Sequence, residues 1–239
     1  VPTNHTTVPW GIRDIVGALL AAVALVGLIV GGALGGLMLL RSFIDVGPLA
    51  RPVTLGAITL AQLSLLAVAL VTAARRGGLA ALGFRPAPPD GLLAAAGLLV
   101  VGLVIQIAYG LALQALGLGQ ENPQRIDLLV GATPLSLAFA LLSGAVIAPI
   151  AEEAFFRGLI LPGLIPRLGT VGAVIVSSAL FAVAHLVPQV IIPTFALGIL
   201  LAILRLRFGS LWPPILLHAS FNALALVAVF AATRLASAA

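Results

Sequence analysis

The sequence predicts an all-α fold, a polytopic bundle of seven to eight transmembrane helices, and three observations predict it. The 239-residue chain is 62% hydrophobic and only 8% charged, whereas soluble domains carry about 25% charged residues. Its mean hydropathy is +1.25, concentrated in long apolar runs, and about 20 such residues suffice to cross a bilayer as a helix. No run shows the short two-residue alternation of a transmembrane barrel, so helices are the reading left for backbone in lipid.

The runs fall at 15–40, 53–74, 91–118, 134–151, 171–187, 189–204 and 211–233. The first, Ile15 to Leu40, exceeds the core of a signal peptide and has no clean cleavage pattern after it, so it reads as a retained helix. Its Gly31-Gly32 and Gly35-Gly36 pairs place small residues four apart, which allows close helix approach in lipid. Tight packing within the bundle is the expectation for them, ahead of a dimer face. Arg41 to Pro52 and Arg75 to Asp90 combine charge, Gly and Pro and read as loops. Gly119 to Thr133, with Glu121, Arg125 and Asp127, is the most polar stretch. Residues 158–170 either extend the fourth helix or turn after Pro162, Gly163 and Pro166; a short helix there makes the eighth. The Asn4-His5-Thr6 sequon reads as chance. The whole of 1–239 is expected to be one integral membrane domain, with a functional core at 134–233.

All 12 basic residues are Arg and most lie between apolar runs, so the charge of +5 reflects topology and not nucleic-acid binding. Counted by alternate loops, Arg favours the N-terminal side, which the positive-inside rule places in the cytoplasm. Arg205 and Arg207 read as interfacial anchors. Arg without Lys, amid abundant Ala, Gly and Leu, suggests a bacterial cytoplasmic membrane. Cysteine is absent, which excludes disulfides and thiolate metal sites. No internal repeat is evident, which weighs against repeat-built transporters. Oligomeric state is left open.

Chemistry concentrates in the last ninety residues. Glu152, Glu153, Arg157, His185, His218 and Asn222 interrupt apolar runs, and an ionisable residue in a span is unfavourable by about 2.5–3.5 kcal/mol on insertion scales. On a helix Glu153 and Arg157 lie one turn apart and can pair, while Glu152 points about 100° away. The adjacent carboxylates can thus separate into a neutralised one, Glu153, and a free base, Glu152. Phe181 and His185 share a face at i, i+4, as do His218 and Asn222; an imidazole beside an amide is a donor pair suited to an oxyanion. Taken singly, each element also fits a structural ion pair or an interhelical hydrogen bond.

The patterns Glu-Glu-x-x-x-Arg at 152–157, Phe-x-x-x-His at 181–185 and His-x-x-x-Asn at 218–222 resemble, in order, the motif set of the CPBP family. That family unites type II CAAX prenyl endopeptidases with bacteriocin-processing and related bacterial membrane proteins. The resemblance implies an intramembrane protease. In it Glu152 with His185 activates water, His218 with Asn222 stabilises the oxyanion, and Glu153 with Arg157 and Phe181 supports the site. It also brings the question of a metal: Glu152, His185 and His218 have the composition of a two-His, one-Glu zinc set, and a direct Glu/His mechanism stands beside it. The implied partners are membrane lipid and a membrane-associated peptide or protein substrate, lipidated and CAAX-like or another small membrane peptide. A non-catalytic scaffold or resistance protein, and a proton-coupled transporter built on the same buried Glu, Arg and His, are the competing classes.

Overall fold

The computed structural model describes residues 8–118, 130–131 and 133–236; the Asn4 sequon and Glu121, Arg125 and Asp127 lie outside them. The regular structure among the described residues is all helical, without strands. Helix α1 is Ile12–Leu40 and α2 is Gly47–Arg75. A short 3-10 turn, Leu79–Leu82, leads to α3, Pro89–Ala115. A helical stretch then runs through Pro134–Val183, followed by Pro188–Phe208 and Trp212–Ala236.

Among the described residues six helices are long and apolar enough to cross a membrane, fewer than the seven to eight expected, because Pro134–Val183 counts once. That stretch cannot be straight. Residues 21 apart on one helix are separated by about 31 Å, yet the Ser177 hydroxyl donates to the Phe156 carbonyl at 3.1 Å. The reversal sits at Gly169, whose φ of 66° and ψ of 174° are accessible to glycine and strained for other residues. The stretch is therefore two antiparallel limbs, α4 at 134–168 and α5 at 170–183, followed by α6 (Pro188–Phe208) and α7 (Trp212–Ala236). The 158–170 segment extends the fourth helix and turns back at its end.

Two π-helical segments, Leu142–Ile147 and Ala154–Ile160, interrupt α4 on either side of Ala148–Glu153. Such widened turns occur mostly as single insertions in α-helices and often at functional sites.

The outer surface is apolar, with Leu20, Val23, Leu28, Leu93 and Leu111 among its exposed residues, as lipid contact requires. The interior is built from small residues, including Ala18, Ala22, Ala69, Ala73, Ala95, Ala151, Ala154 and Ala202. In lipid, helices associate through close packing and hydrogen bonds and not through water exclusion, and small residues permit the approach. The glycine pairs of α1 do not serve this purpose. A Cβ on Gly31, Gly32, Gly35 or Gly36 would meet open space, and the buried residues of α1 are Ile15, Ala18 and Ala22, all nearer its start. Expected packing within the bundle is thus not found there.

Arg205 also departs from expectation. Arg207 is exposed, as an interfacial anchor should be, but Arg205 is buried. Its guanidinium donates to the Leu82 carbonyl at 3.3 Å, tying α6 to the turn before α3. Beside it, Leu211 donates its backbone N–H to Gly83 and Ser210 its hydroxyl to the Arg85 carbonyl. At the same end of the bundle the Trp10 indole donates to the Leu159 carbonyl at 2.9 Å, fixing the entry of α1 against α4.

Candidate active site

Glu153 lies at the centre of a buried network. One of its oxygens, Oε1, accepts from Arg157 Nη1 at 3.0 Å and lies 3.0 Å from His218 Nδ1. Glu153 and Arg157 are fully buried and His218 nearly so. The Glu153–Arg157 pair is local, one turn along α4, as the spacing predicts; the His218 bond joins α4 to α7.

Arg157 makes further contacts, while its buried Nε has no hydrogen-bond partner among the described residues. Its Nη2 donates to the Gly198 carbonyl on α6 at 3.1 Å. Its guanidinium carbon lies 4.2 Å from the centroid of the Phe181 ring, a cation–π distance. Phe181 also packs edge-on against Phe156, His185 and His218, at 5.4, 5.0 and 5.5 Å between centroids. One ring on α5 therefore separates and positions two imidazoles and one guanidinium.

Gly198 has a specific reason to be glycine. A Cβ there would lie 2.9 Å from Ser178 Cβ and 3.3 Å from Arg157 Nη2. Gly198→Ala is expected to push α6 away from α5 and lower stability by about 1–3 kcal/mol, the usual range for overpacking. Thermal melting of the purified variant checks this.

Glu152 occupies the opposite side of His218. Its Oε1 accepts from Gln62 Nε2 of α2 at 2.8 Å, and its Oε2 faces His218 Nε2 at 3.7 Å. The Glu152 side chain is 12% exposed, so the rim of the network begins here. The two adjacent glutamates thus address the two nitrogens of one imidazole. An ionised Glu153 accepting from Nδ1 places a ring proton on that nitrogen and turns Nε2 toward Glu152. The 3.7 Å separation exceeds a direct hydrogen bond.

Asn222, one turn beyond His218, donates through Nδ2 to the Gly144 carbonyl at 2.8 Å. That carbonyl lies in the first π-helical segment of α4. One amide hydrogen of Asn222 is therefore engaged and the second is not.

His185 stands apart from Glu152. Helix α5 ends at Val183, so His185 lies in the turn that follows, with Nδ1 2.9 Å from the Phe181 carbonyl oxygen. It is half-buried and forms no hydrogen bond or ion pair with Glu152. The next residue, Leu186, has φ of 56°, the one non-glycine positive φ among the described residues. Backbone in sparsely populated conformations clusters at functional sites. Geometrically, then, the imidazole facing Glu152 is His218, and not the His185 expected to share water with it.

The zinc set does not assemble either. Among the described residues no three His, Asp or Glu side chains group as a metal site. His218 engages Glu153 with one nitrogen, and His185 engages the Phe181 carbonyl oxygen. Glu152, His185 and His218 as arranged do not fit a three-ligand centre.

In the sequence Gln62 is a neutral amide inside the apolar run 53–74, and it carries no motif. Its place beside Glu152 depends on the packing of α2 against α4. The same interface carries the Thr59–Ser143 hydroxyl pair at 2.8 Å.

Similarity to a known family falls on the same part of the chain. Residues 134–224 match the model of a family described as type II CAAX prenyl endopeptidase Rce1-like. The match is confined to this segment, less than half of the chain. It holds every motif residue discussed above, from Glu152 to Asn222, and excludes Gln62. A curated protein of Bacillus subtilis (strain 168), "Putative membrane peptidase YdiL", is 29% identical over 133 residues, which is 55% of this chain and 53% of the relative. The chain spans about half the length of that curated relative. No solved structure matches it. The six membrane-length helices among the described residues mark an integral membrane protein, similar over part of its length to a family of membrane endopeptidases and to a curated protein described as a putative membrane peptidase.

Proposed function

We propose that the chain is an intramembrane endopeptidase that hydrolyses a peptide bond in a membrane-associated substrate. The observation that carries this reading is the facing pair of Glu152 Oε2 and His218 Nε2, 3.7 Å apart, with His218 fixed from behind by Glu153 and Arg157. Two acceptors at that spacing can hold the two hydrogens of one water molecule. Glu152 is the general base. It takes a proton as the water oxygen attacks the carbonyl carbon, and returns it to the leaving nitrogen when the C–N bond breaks.

Glu153 plays the part of the buried acid behind a catalytic histidine, fixing its tautomer and orientation. Arg157 balances the Glu153 charge, so Glu152 is not neutralised by the same cation. Asn222 has an uncommitted amide hydrogen on the same face as His218 and is the donor for the oxyanion. His185 lies across the Phe181 ring from His218.

A cleft of about 470 Å³ between α2 and α4 is lined by Leu55, Gly56, Thr59, Leu60, Phe139, Leu142 and Ser143. It lies one helical turn along α2 from Gln62, and its rim residues Leu60, Phe139 and Leu142 are exposed on the lipid-facing surface. An apolar part of the substrate would enter there from the bilayer. The family's type II CAAX endopeptidases favour a lipidated, CAAX-like peptide; bacteriocin leaders and other small membrane peptides share the same apolar character. The Arg distribution favours a cytoplasmic N-terminus in a bacterial cytoplasmic membrane.

The test is reconstitution in phospholipid vesicles with three quenched fluorescent peptides: one bearing S-farnesylcysteine, its unlipidated counterpart, and a hydrophobic leader-like peptide. Mass spectrometry should detect new termini with the wild type and none with a folded Glu152→Ala variant. Intact peptides throughout, or equal cleavage by the variant, would count against the reading. A scaffold or a transporter gives no new termini in either protein.

A further inference from the structure

We propose that Gln62 is a positioning residue that sets which oxygen of Glu152 faces His218. This rests on reading Glu152 as the base. Its Nε2 donates to Glu152 Oε1 at 2.8 Å, and Oε2 is the oxygen turned to His218 Nε2. Free rotation would exchange the two oxygens and swing the carboxylate out of line; a donor on one of them fixes both.

The choice of an amide has a chemical reason. An arginine in its place would orient the carboxylate equally well, but a cation favours the ionised form and weakens the base. The neighbouring pair makes the contrast: Glu153 is held by Arg157, Glu152 by Gln62. One glutamate is paired with a cation and the other with a neutral donor.

A role as mere helix glue explains Gln62 less well. Its own carbonyl oxygen is buried without a partner, which is unfavourable. The α2–α4 interface already has a satisfied polar tie in Thr59 and Ser143. Gln62 also lies far outside the matched 134–224 segment, so α2 contributes to the site a residue that the motifs do not contain.

The experiment compares Gln62→Leu with Trp10→Phe, which removes a different bond to α4 at Leu159. In vesicles, using whichever of the three peptides the wild type cleaves, Gln62→Leu should lower kcat by about 10- to 100-fold with KM unchanged. Trp10→Phe should leave kcat close to wild type even if it melts earlier. A kcat loss matched by Trp10→Phe, or a change confined to KM, overturns the proposal.

A second arm needs no substrate. Dicyclohexylcarbodiimide, an apolar reagent for protonated carboxyl groups, is applied to wild type and Gln62→Leu, and modification of Glu152 is followed by mass spectrometry. Loss of the donor should speed modification severalfold, and equal rates overturn the proposal. If the wild type cleaves none of the peptides, the protease reading fails, while this arm still decides whether Gln62 controls Glu152.

Discussion

Arg157→Leu is expected to be the most destabilising single change in the site, lowering stability by about 3–5 kcal/mol, the loss seen when one partner of a buried ion pair is removed. Glu153 would remain fully buried beside His218, with no cation to balance it. The change also frees the Gly198 carbonyl and removes the cation from the face of Phe181. For a chain of this size a loss of that order lowers the melting temperature by roughly 10 °C. Arg157→Lys should recover only part of it, because a single ammonium cannot bond Glu153 and Gly198 and also stack on the ring. Thermal melting in detergent decides the matter. A variant that melts with the wild type would mean that Glu153 is not ionised in the folded protein.

The second large effect concerns the two histidines. His218→Ala should lower kcat by about 10²–10⁴-fold, the range for a positioned acid–base group. It should also lower stability, since Glu153 loses one of its two partners. His185→Ala should leave melting nearly unchanged, because His185 is half-buried in a turn and bonded to one backbone carbonyl. Its effect on kcat separates two assignments. If His185→Ala abolishes turnover and His218→Ala spares it, water activation belongs to Glu152 with His185, and the facing Glu152–His218 pair is structural.

What the sequence revealed follows the range of the interactions involved. Glu153–Arg157 was legible because it lies within one helical turn, where spacing alone fixes geometry. The apolar runs were legible because span length is set by the bilayer. The fourth and fifth runs hid a single reversing ribbon, since helical hydrogen bonding continues past Gly169 and hydropathy does not register a φ of 66°.

The placement of His185 has a local cause. The apolar run continues to 187, but Pro188 opens the next helix and the extended Val187 before it ends the fifth helix earlier. The pairing of His218 with both glutamates, and of Gln62 with Glu152, joins helices far apart in the sequence. No periodicity within one helix encodes which face of another it meets. The burial of Arg205 was hidden for the same reason: its acceptor is a carbonyl of the turn before α3.

The central claim is that Glu152 drives attack by water on a peptide bond. It is tested most directly by incubating wild type and Glu152→Gln with the cleavable peptide in ¹⁸O-enriched water and weighing the products. The account predicts that the wild type yields a new C-terminus carrying one heavy oxygen. Glu152→Gln, which preserves shape but cannot take the proton, should yield no product while melting like the wild type. Undiminished labelled product from Glu152→Gln would contradict the role of Glu152, and product without the heavy oxygen would contradict hydrolysis by water.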